Sequence, residues 1–403
     1  MIAKRLRASL DASICIRDIF EEGKKLAEIY GAENIYNFSI GNPSVEPPAI
    51  VNETLKEILD TEPALSLHGY PANVGHPEVR QHIADYLNQT YGCHYTVDGI
   101  VMTSGAASAI AMLCNTLLDE GDEVITFAPY FWEYKSYVET FYGKLVPALC
   151  NMDTLQPDEA TLRAAFSEKT KFVLINTPNN PTGAVYTPES LTMVASVLKE
   201  MEEKYGHPIY LVSDEPYRKL AYGIEVPYLT HFYHNTIVVY SYSKALSIPG
   251  ERIGYAAMEP SVDDFADLIA GLTASMRYLG YVNAPSLQQK MLLKCVDASV
   301  DISIYEETRN ILYNGLTEMG YTCIHPDGAF YLFVKALEED DAHFCEMAKK
   351  EKILMAPGTA FYGPGWVRIS YCVPAKVARD SLPGFQRLMD AYKNGQGSGS
   401  TDL

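Results

Sequence analysis

Between residues 50 and about 255, five short apolar runs alternate with stretches of helical spacing: GIVMT (99–103), EVITFA (123–128), KFVLIN (171–176), IYLVSD (209–214) and TIVVYSYS (236–243). Each run is apolar nearly throughout, the pattern of strands buried on both faces. Helices are expected over 49–59, 77–91, 106–118 and 188–205. The last carries Leu191, Val194, Leu198, Met201 and Tyr205 along one stripe, with Thr187-Pro188 ahead and Gly206 behind. Strands alternating with helices predict an α/β domain on a largely parallel sheet. After about 290, a helix over 299–319 leads into YTCIHPDGAFYLFVKA, then another helix and a strand near WVRISYC (366–372). That order suits a smaller α+β domain. Residues 14–30 read as a helix stopped at Gly31, and the N-terminal segment is expected to complete the smaller domain. The expected division is 1–48 joined to the small domain, 49–290 as the large domain, 291–394 as the small one, and 395–403 as a flexible tail.

Composition narrows the function. The formal charge of −19 would repel a phosphate backbone, which argues against non-specific nucleic-acid binding. A few local Arg or Lys residues could still hold a small anion. The eight cysteines form no CxxC pair and no zinc-like spacing, so they read as reduced, mostly buried thiols. His231 and His234 could pair on a metal, but no further ligands lie nearby in sequence, and a surface reading is favoured. No apolar run reaches the roughly 18 residues of a membrane span. The N-terminus has no secretory pattern, and a cytoplasmic location is expected.

Ligands of open α/β sheets sit beyond the carboxyl ends of the strands. After 99–103 comes SGAASA, a small-residue turn whose helix N-terminus could hold a phosphate, or simply pack closely. After 171–176 comes NTPNNPTG (176–183), where two prolines fix the backbone and Asn180 is held rigidly, unless this is an ordinary turn. At the end of 209–214 stand Asp214, Glu215, Pro216 and Tyr217, a carboxylate beside a phenol. After 236–243 come Lys244 and then Arg252 in PGERIGY. A bare ammonium after a buried strand is costly unless it has chemistry or a partner. Together these segments supply a phosphate cradle, an amide, a carboxylate with a phenol, and a lysine followed by an arginine. A pyridoxal phosphate site needs those groups: a lysine for the Schiff base, an anion for the ring nitrogen and donors for the phosphate.

NTPNNPTG, SDEPY, SYSK and the eight-residue step from Lys244 to Arg252 closely resemble the fold type I aminotransferases of the aspartate aminotransferase family, over about residues 34–375. The resemblance implies a mostly parallel, seven-stranded-type sheet in a large cofactor domain plus a smaller α+β domain. It implies pyridoxal 5'-phosphate linked to Lys244, which also shuttles the substrate proton. Asp214 would pair with the ring nitrogen, and Asn180 and Tyr217 would bond the phenolic oxygen. Ser241, Arg252 and the N–H groups of Gly105, Ala106 and Ala107 would hold the phosphate. Phe131 in PYFW would stack on the ring, or Trp132 if the register slips by one. Arg368 would bind the substrate α-carboxylate bidentately, with Gly41 lining the pocket. Tyr70, in HGYPANVGHPEVR, would reach the phosphate of the neighbouring subunit, so a homodimer with shared sites is implied. Arg277 is the candidate for a second substrate carboxylate, although its spacing from Asn283 departs by one residue from the family pattern.

The expected activity is therefore transfer of an amino group from an L-amino acid to a 2-oxo acid such as 2-oxoglutarate. Aspartate is the expected donor, with alanine or an aromatic amino acid as the alternatives. A carbon–sulfur β-lyase or decarboxylase of the same fold shares the core motifs. A cofactor-sensing regulator would need a basic DNA-binding module, for which the roughly 30 residues before the first motif leave no room. A decayed scaffold is at odds with the retained Lys244, Asp214, Arg252 and Arg368.

Overall fold

A computed structural model describes residues 2, 19 and 21–395. Residues 21–30 are helical and stop at Gly31 (φ 85°). Most of 14–20 from the expected first helix, and 396–403 of the expected tail, lie outside the described residues.

The first strand, β1 (Tyr36–Asn37), pairs with a segment more than 300 residues later. The central sheet holds β2 (Ile100–Thr103), β3 (Glu123–Ala128), β4 (Lys144–Leu149), β5 (Thr170–Asn176), β6 (Tyr210–Asp214), β7 (Thr236–Ser241) and β8 (Gly254–Met258). Their spatial order is β2-β8-β7-β6-β5-β3-β4. Only β8 runs against its neighbours, so the sheet is seven-stranded and mostly parallel. All five expected strands are present. The fifth ends two residues early, because Tyr242–Ala245 turn into a short helix capped by the Ser241 hydroxyl. Two strands of this sheet had not been expected, β4 and β8.

Alternation along each strand distributes the core. Phe172 and Leu174 of β5 enter one apolar cluster, while Val173 and Ile175 enter another on the opposite face. Fully burying each such side chain is worth about 1.5–3 kcal/mol. The helices begin and end where local chemistry says they should. Pro77 opens Pro77–Tyr91, and Gly92 closes it at φ 67°. The Thr187 hydroxyl accepts from the Ser190 N–H to start Pro188–Tyr205, which Gly206 ends at φ 74°.

The smaller sheet contains β9 (Cys323–Ile324), β10 (Tyr331–Lys335), β12 (Ala356–Pro357) and β13 (Trp366–Ser370), ordered β12-β13-β10-β9 and antiparallel. Between them β11 (Ile353–Leu354) pairs in parallel with β1, Tyr36 against Ile353. Phe38 then packs into the same cluster as Leu332, Ile369 and Phe385. This pairing brings residues 38–41 to the large sheet. Met291, Leu292 and Cys295 pack with the large-sheet cluster around Val79 and Ile100, so that core runs past residue 290.

Candidate active site

A cavity of about 620 Å³ lies beyond the carboxyl ends of β2, β5, β6 and β7, where the segment 39–41 and the smaller sheet meet them. Its lining includes Gly41, Ala106, Ala107, Phe131, Trp132, Asn180, Asp214, Tyr217, Ser241, Lys244, Arg252 and Arg368.

At the end of β2 the chain turns at Gly105 (φ 91°) into the helix Ala106–Leu117. A Cβ on Gly105 would sit 3.0 Å from Arg252 Nη2 and 3.5 Å from Ser241 Oγ, so three segments converge there. Unpaired N–H groups of a helix start, a hydroxyl and a guanidinium together make an anion cradle. Arg252 is held by donating to Pro249 O at 2.9 Å and Ser243 Oγ at 3.4 Å. After β5, the Thr177-Pro178 and Asn180-Pro181 bonds are both cis. The Asn180 N–H donates to Asn176 Oδ1 at 2.7 Å, and Asn176 Nδ2 donates to Asp214 O at 2.9 Å, tying this turn to the end of β6.

Asp214 is buried. Its Oδ2 accepts from the Tyr134 hydroxyl at 2.5 Å, while Oδ1 has no partner. Burial pushes this carboxyl up to about 7, against the pull of the Tyr134 hydrogen bond and with the Glu215 charge adding to the rise. Lys244 Nζ donates to Gly41 O at 2.9 Å and lies 5.5 Å from the Phe330 ring centroid. Burial lowers its ammonium to about 8, and Arg252 and Arg368 act in the same direction. Such an amine is a ready nucleophile near neutral pH. The Tyr217 and Tyr331 hydroxyls are 2.8 Å apart.

Arg368 rises from β13 between the rings of Tyr331 and Phe361, at 4.8 and 4.5 Å. It donates from Nη1 to Asn180 Oδ1 at 3.0 Å and from Nη2 to Ser39 O at 2.6 Å, while the buried Nε has no partner. Neutral acceptors leave its charge uncompensated, and burial lowers its pKa.

Two candidates stand apart from the cavity. Tyr70 is 90% exposed, and Arg277 is exposed at the end of the helix Phe265–Tyr278. Phe131 and Trp132 both line the cavity. His231 and His234 do not pair: His231 lies against Cys93 and His234 near Asp263. Sequence reading missed Tyr134, Tyr331 and Ser39, whose partners are 80 or more residues away.

The residues present fit pyridoxal phosphate. A buried carboxylate oxygen without a partner suits a protonated ring nitrogen, the cradle suits a phosphate, and a lysine of lowered basicity suits an aldehyde. Residues 33–380 match the family described as aminotransferase class I and II. The chain is 29% identical over 390 residues to an aspartate aminotransferase of Thermotoga maritima, covering 92% of this chain and 95% of that one. It is 33% identical over 350 residues to a probable aspartate aminotransferase of Methanocaldococcus jannaschii, covering 83% and 88%. Among solved structures, an aminotransferase from Eubacterium rectale superposes with a TM-score of 0.94 at 45% identity, covering 98% and 99%. The Thermus thermophilus aspartate aminotransferase with maleate gives 0.84 at 26% identity, covering 96% and 99%. With strand ends, cradle, lysine and matched length in agreement, this chain belongs to the aminotransferase class I and II family, whose members are pyridoxal-phosphate-dependent transaminases.

Proposed function

We propose that this enzyme moves the amino group of an L-amino acid, aspartate foremost, to a 2-oxo acid such as 2-oxoglutarate. The observation that carries the reading is the convergence of the Lys244 amine, the unpartnered Asp214 oxygen and the Arg368 guanidinium on one cavity. Bound there, pyridoxal phosphate supplies an aldehyde and an electron-accepting ring. Gly105, Ala106 and Ala107 N–H groups with Ser241 and Arg252 hold its phosphate, and Phe131 covers the ring face beside Trp132. Asp214 keeps a proton on the ring nitrogen. Asn180 and Tyr217 hydrogen-bond the phenolic oxygen. Lys244 anchors the cofactor and then moves the proton to and from the substrate α-carbon. Arg368 exchanges its neutral acceptors for the α-carboxylate, beside Gly41.

The functional unit in this reading is a cytoplasmic homodimer of two-domain subunits, with the change-over just after the helix Ser286–Cys295. Leu65 (86% exposed), Tyr70 and Tyr278 (80% exposed) leave apolar surface uncovered. Asn73 Nδ2 donates to Val282 O at 2.8 Å, which ties the two segments that carry them. A second copy over this face would supply Tyr70 to the phosphate and Arg277 to a substrate's second carboxylate. The cavity's own Lys244, Arg252 and Arg368 are already committed, so a dicarboxylate needs a cation from elsewhere.

A panel of amino donors against 2-oxoglutarate, read by 2-oxo acid formation, tests the reading. Aspartate should lead, and Arg277→Leu should penalise aspartate and glutamate several-fold more than alanine or phenylalanine. Equal losses across the panel would remove Arg277 from the site, and a monomer by light scattering would remove the shared arrangement.

A further inference from the structure

Tyr331, the first residue of β10, has no role in the reading above, yet it is only 2% exposed and touches three parts of the site. Its hydroxyl is 2.8 Å from that of Tyr217, and its ring lies 4.8 Å from the Arg368 guanidinium carbon. A Cβ built on Gly41 would stand 2.1 Å from the same hydroxyl, so Tyr331 occupies the space that a side chain there would take. The pairing of β10 with β13 explains the second contact. Arg368 stands opposite Phe333, and Tyr331 is two residues before it on the same face.

We propose that Tyr331 is a positioning residue that ties the carboxylate-binding arginine to Tyr217 and, through it, to the cofactor's phenolic oxygen. The inference rests on the role given to Tyr217 above. A phenol has one proton to donate. Once Tyr217 donates to the cofactor, it can only accept from Tyr331, which sets the direction of the pair. A hydroxyl that accepts a hydrogen bond is the stronger donor onward. Burial pushes the Tyr331 phenol up to about 12 and the Arg368 charge opposes part of that rise, so the hydroxyl keeps its proton and can donate. The other titratable or charged groups facing this chain and Lys244 are Asp214, with Tyr134 upon it, Arg252 and Cys372. None of these lies between Tyr217 and Tyr331 in the hydrogen-bonded pair.

The test uses the holoenzyme and the pH titration of the visible absorption of its lysine-bound cofactor. Tyr331→Phe keeps the ring but removes the donor. The apparent pKa should rise by about half a unit to one unit, a three- to ten-fold gain in proton affinity. Binding of an inert acid, 3-phenylpropanoate, should stay within about two-fold, because the Arg368 contact is kept. Tyr331→Leu removes both contacts and should also weaken that acid by roughly two- to ten-fold. Tyr222→Phe is the structural control, since it deletes another buried phenol, one donating to Ala329 O at 2.6 Å. It should move neither quantity. A Tyr331→Phe titration that coincides with wild type, or an equal shift in Tyr222→Phe, overturns the proposal. If Tyr331→Leu does not fold, the isosteric variant decides alone. A wild-type protein with no cofactor band reducible onto Lys244 would instead overturn the underlying assignment of the site.

Discussion

In the proposed reading, the cofactor half of the site takes Gly105, Asn180, Asp214, Ser241 and Lys244 from the ends of four strands in one sheet. The carboxylate half takes Ser39, Tyr331 and Arg368 from segments as much as 329 residues apart. In the first half, geometry follows from register: Asn176 stands opposite Asp214 on β5 and β6, and Asp214 opposite Val239 on β7. A sheet buried on both faces offers those groups little freedom. In the second half, geometry follows from how β1 pairs with β11 and how β13 packs beneath Phe38. The rigid half is suited to chemistry and the assembled half to recognition, so lesions in the two should read out differently.

The largest effect is expected from Lys244→Ala. Losing the amine proposed to anchor the cofactor and move the proton should lower kcat by about 10⁴-fold. The cradle and Asp214 should still retain cofactor without a covalent link. Borohydride treatment of wild type followed by peptide mapping should place the cofactor on Lys244, and a different lysine would erase the distinction between the halves. Next comes Arg368→Lys, which keeps the charge and loses the fork. KM for amino and oxo acids should rise by roughly ten- to a hundred-fold while the cofactor spectrum stays as in wild type. A spectrum that moved as much as KM would show that the halves are not separable.

The smallest expected effect is on pH dependence. Because Lys244 is lowered to about 8 from 10.5, the rate at which cofactor-free protein captures added cofactor should climb with pH and level off near 8. An exposed lysine would still be climbing at pH 10. Between pH 8 and 10.5 the unfolded chain binds the proton that the fold excludes, so this group's contribution to stability rises with pH across that window. Asp214 runs the other way. Raised to about 7 from 3.8, it binds a proton in the fold that the unfolded chain lacks, and its contribution falls between those values as pH rises. Thermal melting of cofactor-free Lys244→Met against wild type should show a gain below pH 8 that fades toward 10.5.

The same division governs what could be read in the sequence. The strands that end at the cofactor half are continuous apolar runs, and their motifs are local, so β2, β3, β5, β6 and the start of β7 were legible. β4 was not, because its edge position leaves Lys144, Pro147 and Leu149 exposed and the apolar signal broken. β8 was hidden by the glycine and two alanines of GYAAM, which have little strand propensity and begin only two residues after Arg252. The helix Phe265–Tyr278 starts without a side-chain cap, so only its periodicity could have marked it. Tyr134 reaches Asp214 across 80 residues and Tyr331 reaches Tyr217 across 114, distances over which spacing carries no information. No local pattern marked Arg368, which only the resemblance singled out and which lines the cavity.

The tight fit of Gly41 beneath Tyr331 constrains how this chain can change over generations. Any side chain at 41 collides with the phenol, while trimming residue 331 first opens the space that a larger residue at 41 would need. Substitutions at the two positions can therefore be accepted in only one order. Descendants that have taken the first step would pass through a form with an altered grip on both substrate and cofactor.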